Sequence, residues 1–342
     1  MTAVPVDINR LTTWLDAHGI GSGPIEITAL GGGTQNIMAR ITRIDADVVL
    51  RHPPLHKRKN SDETMRREAT LLRALRPTDV PHPRLVADEP SLDVLGSAFY
   101  VMDPVDGFAP MLGLPDAYGD LGWKHAMGLS MADGIASLAS VDHRAVGLSD
   151  FGRSDGWLER QVDRWRSHLA SYDATPNYPG HEIPGVDEVG AWLDAHRPAS
   201  WTPGVIHGDF HFGNVMFRHD QPRLAAIVDW ELATIGDPLL DLGALLATFP
   251  TSGAGVSVID IAGLPTRDEL IVRYIEQTSG TGRFVDAHLA TWYQVLASYR
   301  LGIILEGTNA RAWAGLASRE IGDQLHATTL ALFSRACELI SS

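Results

Sequence analysis

The stretch Val205-Ile206-His207-Gly208-Asp209-Phe210-His211-Phe212-Gly213-Asn214-Val215-Met216-Phe217 restricts the fold more than any other part of the chain. Two short apolar runs flank a polar loop, and Gly208 and Gly213 oppose a regular helix across it. A third apolar run, Ala225-Ala226-Ile227-Val228, follows and ends in Asp229-Trp230-Glu231. The layout is strand, polar loop, strand, turn, strand, acid.

Those residue types have a chemical meaning together. Phosphoryl transfer needs a carboxylate beside the attacking hydroxyl and hard oxygen ligands for magnesium. Asp209, Asn214 and Asp229 offer such groups. Single aspartates at strand ends commonly pin turns, a reading that the combination disfavours. An alternative makes His207 and His211 helix-borne metal ligands of a hydrolase, completed by Asp209 and Asp229. The two glycines argue against the helix it requires.

Upstream, Leu11, Trp14 and Leu15 predict an amphipathic helix behind Asp7. Strands are expected at 25–30, 37–44 and 48–51, the first two separated by Gly31-Gly32-Gly33-Thr34-Gln35-Asn36. Glycines there would let backbone N–H groups approach phosphate oxygens, although a purely structural hairpin has the same composition. Met65, Ala69, Leu72 and Leu75 line one face of a helix over 62–75 that also carries Glu68. Residues 80–86, punctuated by Pro81 and Pro83, lead to a buried strand at 98–102. Asp103-Pro104-Val105-Asp106-Gly107 closes it, and composition then turns from strand-rich to helix-rich, which puts a lobe boundary at residue 103. Helices are expected around 125–141, 157–169, 287–305 and 316–340, and the polar stretch 171–185 reads as a loop.

With these motifs in view, the chain resembles the aminoglycoside phosphotransferase-like family of small-molecule kinases, relatives of protein kinases, and especially the kinase domains fused to some acyl-CoA dehydrogenases. The resemblance spans nearly the whole chain. It is carried by His207-Gly-Asp209-x-x-x-x-Asn214, Ile-Val-Asp229-Trp-Glu and Gly236-Asp-Pro-x-x-Asp241-Leu-Gly243. It implies an α+β, two-lobed kinase-like fold, with an N-terminal nucleotide-binding lobe (1–103) built on a mainly antiparallel sheet. The helical remainder (104–342) would be the catalytic and substrate-binding lobe, with ATP between the two. Asp209 becomes the catalytic carboxylate, and Asn214 and Asp229 the Mg2+ ligands. Gly32, Gly33, Thr34 and Asn36 would cover the phosphates, while backbone groups of Tyr100, Val101, Met102 and Asp103 would meet the adenine.

One position departs from the protein-kinase pattern. Arg51 stands where a lysine usually pairs with a helix glutamate, here Glu68, and arginine's planar fork is not equivalent to an ammonium. Either Arg51 grips the phosphates in its own geometry or nucleotide affinity is reduced. A plain surface Arg51–Glu68 pair, worth about 0–1 kcal/mol, is the bland alternative. A nucleotide-binding module without catalysis is the corresponding rival function.

Composition narrows the partners. A net charge of −14 over 342 residues disfavours nucleic acid and suits a cationic acceptor such as an aminoglycoside, whereas a hydroxyacyl-type acceptor on a CoA carrier would need a basic groove. Arg51, His52, His56, Lys57, Arg58 and Lys59 form the main basic cluster, equally readable as a solvated loop. A small-molecule hydroxyl is the expected acceptor, with its identity and the oligomeric state left open. Met1–Arg10 has no basic region followed by an apolar run, no segment is apolar enough to span a bilayer, and Cys337 stands alone, so a cytoplasmic protein is expected.

Overall fold

A computed structural model of the chain describes residues 4–31, 36–54, 56–57, 60–250, 262–282 and 285–341. Contacts divide it into two compact units, each considered by itself. The first gathers Met1–Gly107, Arg144–Leu148 and Ala225–Glu231. The second comprises Phe108–His143, Ser149–Leu224 and Leu232–Ser342.

The first unit opens with helix α1 (Ile8–Ala17), capped by the Asp7 carboxylate, which accepts from the Arg10 N–H at 3.1 Å. Strands β1 (Glu26–Ala29), β2 (Ile37–Thr42) and β3 (Asp47–His52) precede helix α2 (Ser61–Leu75), followed by β4 (Leu85–Glu89) and β5 (Phe99–Met102). They form one antiparallel sheet in the order β1-β2-β3-β5-β4. β4 is an edge strand that the sequence reading passed over, because its mixed burial and the prolines before it hide the alternation.

Side chains alternate across this sheet. Val48 and Leu50 of β3, with Phe99 and Val101 of β5, pack with Leu11, Trp14 and Leu15 of α1 in one apolar cluster. The intervening residues, Arg51 and Tyr100, therefore project from the other face, and they are direct partners in the β3–β5 register. On α2 the buried stripe includes Met65, Ala69, Leu72 and Leu75, and Glu68 falls within it. The positions of Arg51 and Glu68 are thus set by two periodicities at once, the strand's two and the helix's 3.6.

The later segment Ala225–Glu231 joins this unit through the strand Leu224–Ile227, whose Ile227 N–H donates to the Pro81 carbonyl at 2.9 Å.

The second unit is mostly helical: α3 (Leu121–Ala139), α4 (Gln161–Ser171), α5 (Val186–Ala195), α6 (Leu239–Thr248), α7 (Arg267–Thr278), α8 (Ala287–Trp313) and α9 (Arg319–Ser341). Helix α4 starts later than the periodicity predicts; Trp157 and Leu158 are buried in the turn before it. α8 packs on both α6 and α9. Gly243 makes the α6–α8 approach possible, since a Cβ there would lie 2.2 Å from the Tyr293 carbonyl oxygen. A small antiparallel pair, Gly204–Ile206 with Thr234–Gly236, ends at His207 and so delivers the polar loop.

Candidate active site

In the second unit, the loop after Ile206 is built by backbone donors finding side-chain acceptors. The buried Asp241 carboxylate, in the first turn of α6, accepts from the His207 N–H at 2.7 Å and the Gly208 N–H at 2.8 Å. Gly208 then turns the chain with φ of 83°, and a Cβ there would lie 2.6 Å from the Leu232 carbonyl oxygen. Only glycine meets both demands without strain. His207 is fully buried and its Nδ1 accepts from the Asp209 N–H at 3.2 Å, which leaves the ring proton on Nε2. Residues 207–211 are not helical, so the paired-histidine hydrolase site lacks its scaffold.

Phe210 and Phe212 anchor the loop in the core, and Asp209, just before them, is left with 34% of its side chain exposed. Asn214 folds back on it: Nδ2 donates to the Asp209 carbonyl at 2.9 Å and to Oδ2 at 3.0 Å. With that donor engaged, the amide oxygen is the group's remaining acceptor. His211 accepts from the Gly213 N–H through Nδ1 at 2.9 Å, so its Nε2 proton faces Asp209 Oδ2 at 3.6 Å. Burial pushes the Asp209 carboxyl up, but His211, His207 and Arg300 outweigh it and hold the group below the usual carboxylate range. Asp241 moves the other way, raised by burial despite its N–H donors.

In the first unit, Arg51 is 8% exposed and Glu68 1%, so their pair is buried rather than the surface contact the bland reading supposed. The Arg51 Nη2 donates to Glu68 Oε1 at 3.1 Å and to Asp229 Oδ1 at 2.7 Å. Its Nε lies 2.9 Å from Glu68 Oε2, an ion-pair distance whose angle falls short of a hydrogen bond. Tyr100 donates its hydroxyl to the same Oε2 at 2.6 Å. Burial disfavours the Arg51 charge, yet Glu68, Tyr100 and Asp229 raise its affinity for the proton above the ordinary value. Burial raises the Glu68 carboxyl, opposed by Arg51 and by the Tyr100 hydroxyl.

Asp229 itself sits at φ of 64°, in the left-handed region that non-glycine residues seldom occupy. Of the described non-glycine residues it shares this only with Asn177. Such strain, of order 1–3 kcal/mol, persists where the surroundings impose it. Oxygens of Glu68, Asp229 and Glu231 lie within 4.8 Å of one another, a set of hard donors suited to a divalent cation.

The sequence profile of the APH "Phosphotransferase enzyme family" matches residues 26–273. The chain belongs to this phosphotransferase family. A crystal structure of a Ralstonia eutropha protein assigned to the aminoglycoside phosphotransferases superposes with a TM-score of 0.79 at 25% identity, over 97% of this chain and 99% of that one. The GDP complex of aminoglycoside 2'-phosphotransferase-IIIa superposes with a TM-score of 0.63 at 16% identity, over 96% and 98% of the two chains, and shows the same fold. Acyl-CoA dehydrogenase family member 11 of Rattus norvegicus is 28% identical over 332 residues, which cover 92% of this chain. The chain spans 41% of that relative's length. The phosphotransferase-family fold is the two-lobed, protein-kinase-like α+β fold expected from the motifs.

Within this family member, the structure brings Asp209 together with Asn214, and Arg51 together with Glu68, Tyr100 and Asp229. Tyr100, Val101 and Met102 lie in β5, paired on both sides by β3 and β4, and the Asp103 N–H donates to the Arg84 carbonyl at 2.9 Å. Asn36 is partly exposed just before β2, while Gly32, Gly33 and Thr34 lie outside the described residues. Sequence reading missed Arg300, which lines a recess with Asp209 from the middle of α8. No local motif surrounds it; only the packing of α8 on α6 brings it there.

Proposed function

We propose that this chain transfers the γ-phosphoryl group of ATP, with Mg2+, to a hydroxyl of a small molecule. The observation that carries the reading is the Asp209–Asn214 pair: a partly exposed carboxylate kept ionised, beside an amide that spends its donor on that same residue. An ionised carboxylate accepts the proton of an attacking hydroxyl and orients its lone pair. As the O–P bond forms, that proton passes to Asp209 Oδ, the bond to the β-phosphate oxygen breaks, and ADP leaves.

Asn214 and Asp229 are proposed as the magnesium ligands, since an amide oxygen and a carboxylate suit that hard cation. The ion, when bound, neutralises phosphate charge. Arg51, held in orientation by Glu68, which the Tyr100 hydroxyl braces in turn, is proposed to steady the phosphates with its remaining N–H groups, together with Gly32, Gly33, Thr34 and Asn36. Backbone groups of Tyr100, Val101, Met102 and Asp103 are proposed to meet the adenine. In this reading residues 1–103 serve the nucleotide and 104–342 the acceptor. No described helix is long and apolar enough to cross a membrane, and we place the reaction in the cytoplasm.

The Arg51–Asp229 contact favours a second reading, a nucleotide-binding module in which the arginine permanently occupies the metal-binding carboxylate. Substrate-stimulated ADP release across a panel of hydroxylated compounds separates the two. The Asp209→Ala chain should lose roughly 10²- to 10⁴-fold in turnover while retaining nucleotide binding. Near-normal turnover would remove Asp209 from its role. Asp229→Ala should weaken Mg2+-dependent ATP binding, and unchanged metal dependence would count against its assignment.

A further inference from the structure

Beside Asp209 lies a narrow recess with walls formed by Ala244 and Ala247 of α6 and by Ala297 and Leu301 of α8, and Arg300 also lines it. Its volume is about 20 Å³. One water-sized group needs about 10–15 Å³, so the recess admits a small terminal group and not a sugar ring. The lining carries two opposite charges, the Asp209 carboxylate and the Arg300 guanidinium, with His211 and Thr248 as its other polar side chains.

Arg300 lacks a neutralising partner of its own. Among the described residues no carboxylate lies within ion-pair distance of it, and its recorded contact is with the Trp165 ring, whose centroid is 5.2 Å from Cζ. Burial lowers its proton affinity, and Asp209 and Asp241 counter that only at longer range. Arg300 is half-buried, so its guanidinium stays open to a ligand, and a partly desolvated cation without a paired anion gains from acquiring one. The alanines beside it offer no hydrogen-bonding group.

We propose that Arg300 selects the acceptor's class: a small hydroxylated compound whose carboxylate seats against the guanidinium while its hydroxyl faces Asp209. The inference rests on the phosphotransfer reading for the role of Asp209, but the binding of a carboxylate does not depend on it. The overall acidity of the chain favours cations at long range, yet at this recess Arg300 repels an ammonium group and pairs with an anion. The charge-assisted fork sets the preference, and the apolar walls limit the carbon skeleton.

The test uses straight-chain hydroxy acids of three to six carbons, their primary amides, and amino alcohols of equal length. Kinetics and ligand-induced thermal shift are measured on the full chain and on Arg300→Met and Arg300→Lys. With the wild type, the acids should exceed the amides in kcat/KM by about 10- to 100-fold, as expected for a hydrogen-bonded ion pair. Arg300→Met should erase that preference mainly through KM, and Arg300→Lys should keep part of it. In the thermal-shift arm, the acids should stabilise wild type and not Arg300→Met. Equal use of acids and amides, an equal drop in kcat for all compounds in Arg300→Met, or no stabilisation of wild type by any acid at 10 mM (about the weakest affinity of interest) each overturns the proposal. Acid-specific stabilisation that needs Arg300, without ADP release, would sustain the proposal and reject phosphotransfer.

Discussion

Asp241→Asn tests whether one buried carboxylate holds the catalytic loop. Its side chain is 1% exposed and accepts two backbone N–H bonds, from His207 at 2.7 Å and Gly208 at 2.8 Å. Asparagine keeps one oxygen but turns an NH2 group toward the second backbone donor. One charged bond is lost, and a buried N–H is left without an acceptor. Each such loss is worth about 1–3 kcal/mol. Burial raises the Asp241 carboxyl, so the neutral amide recovers part of the desolvation cost, and a net loss of about 2 kcal/mol is expected. Asp241→Ala, which orphans both donors, should cost about 3–5 kcal/mol. Displacement of His207 and Gly208 also moves Asp209, and a shift of about 1 Å can cost 10²-fold in rate. Urea unfolding midpoints and single-turnover rates read the two effects. A Asp241→Asn chain within about 0.5 kcal/mol of wild type, with an unchanged rate, would refute the clamp.

Three further outcomes are expected. Gly208→Ala forces a side chain into φ of 83° and into the Leu232 carbonyl, and should cost at least about 2 kcal/mol in urea unfolding. Wild-type stability would show that the loop relaxes freely. Arg51→Met leaves the buried Glu68 without its cation and should cost about 3–5 kcal/mol, while Arg51→Met with Glu68→Leu should recover most of it; no recovery in the double variant would mean that the ion pair is not the cause. The Tyr118 hydroxyl donates to the carbonyls of Arg218 and Gln221, and burial with nearby Asp220 pushes its pKa to about 12. Because the folded value is raised, its contribution is complete below the ordinary value of about 10 and is lost as pH rises toward 12. Urea midpoints measured across that window should fall less steeply for Tyr118→Phe, and parallel slopes would contradict the assignment.

Local order carried much of the fold in the sequence. The 3.6-residue stripe Met65, Ala69, Leu72, Leu75 marked α2, and short apolar runs marked β2, β3 and β5. β4 stayed hidden because an edge strand with mixed burial has little periodic signal. The Asp209 to Asn214 spacing was equally legible, since the loop's chemistry is contiguous. Its support was partly so: Asp241 stood out in a motif, but its bonds to His207 and Gly208 join residues more than 30 positions apart.

By itself, the sequence determined which side chains could carry charge, which faces could be buried and where the chain could turn, because these depend on neighbours within a few residues. Tertiary structure alone decided that Asp229 joins Arg51, 178 residues away, and that the Tyr100 hydroxyl donates to the same Glu68 carboxylate that pairs with Arg51. It also decided that Arg300, unremarked in the middle of α8, faces the recess of Asp209. The physical reason is common to both: a charge's stability depends on the atoms that surround it in space, and those atoms come from segments whose meeting no local pattern encodes.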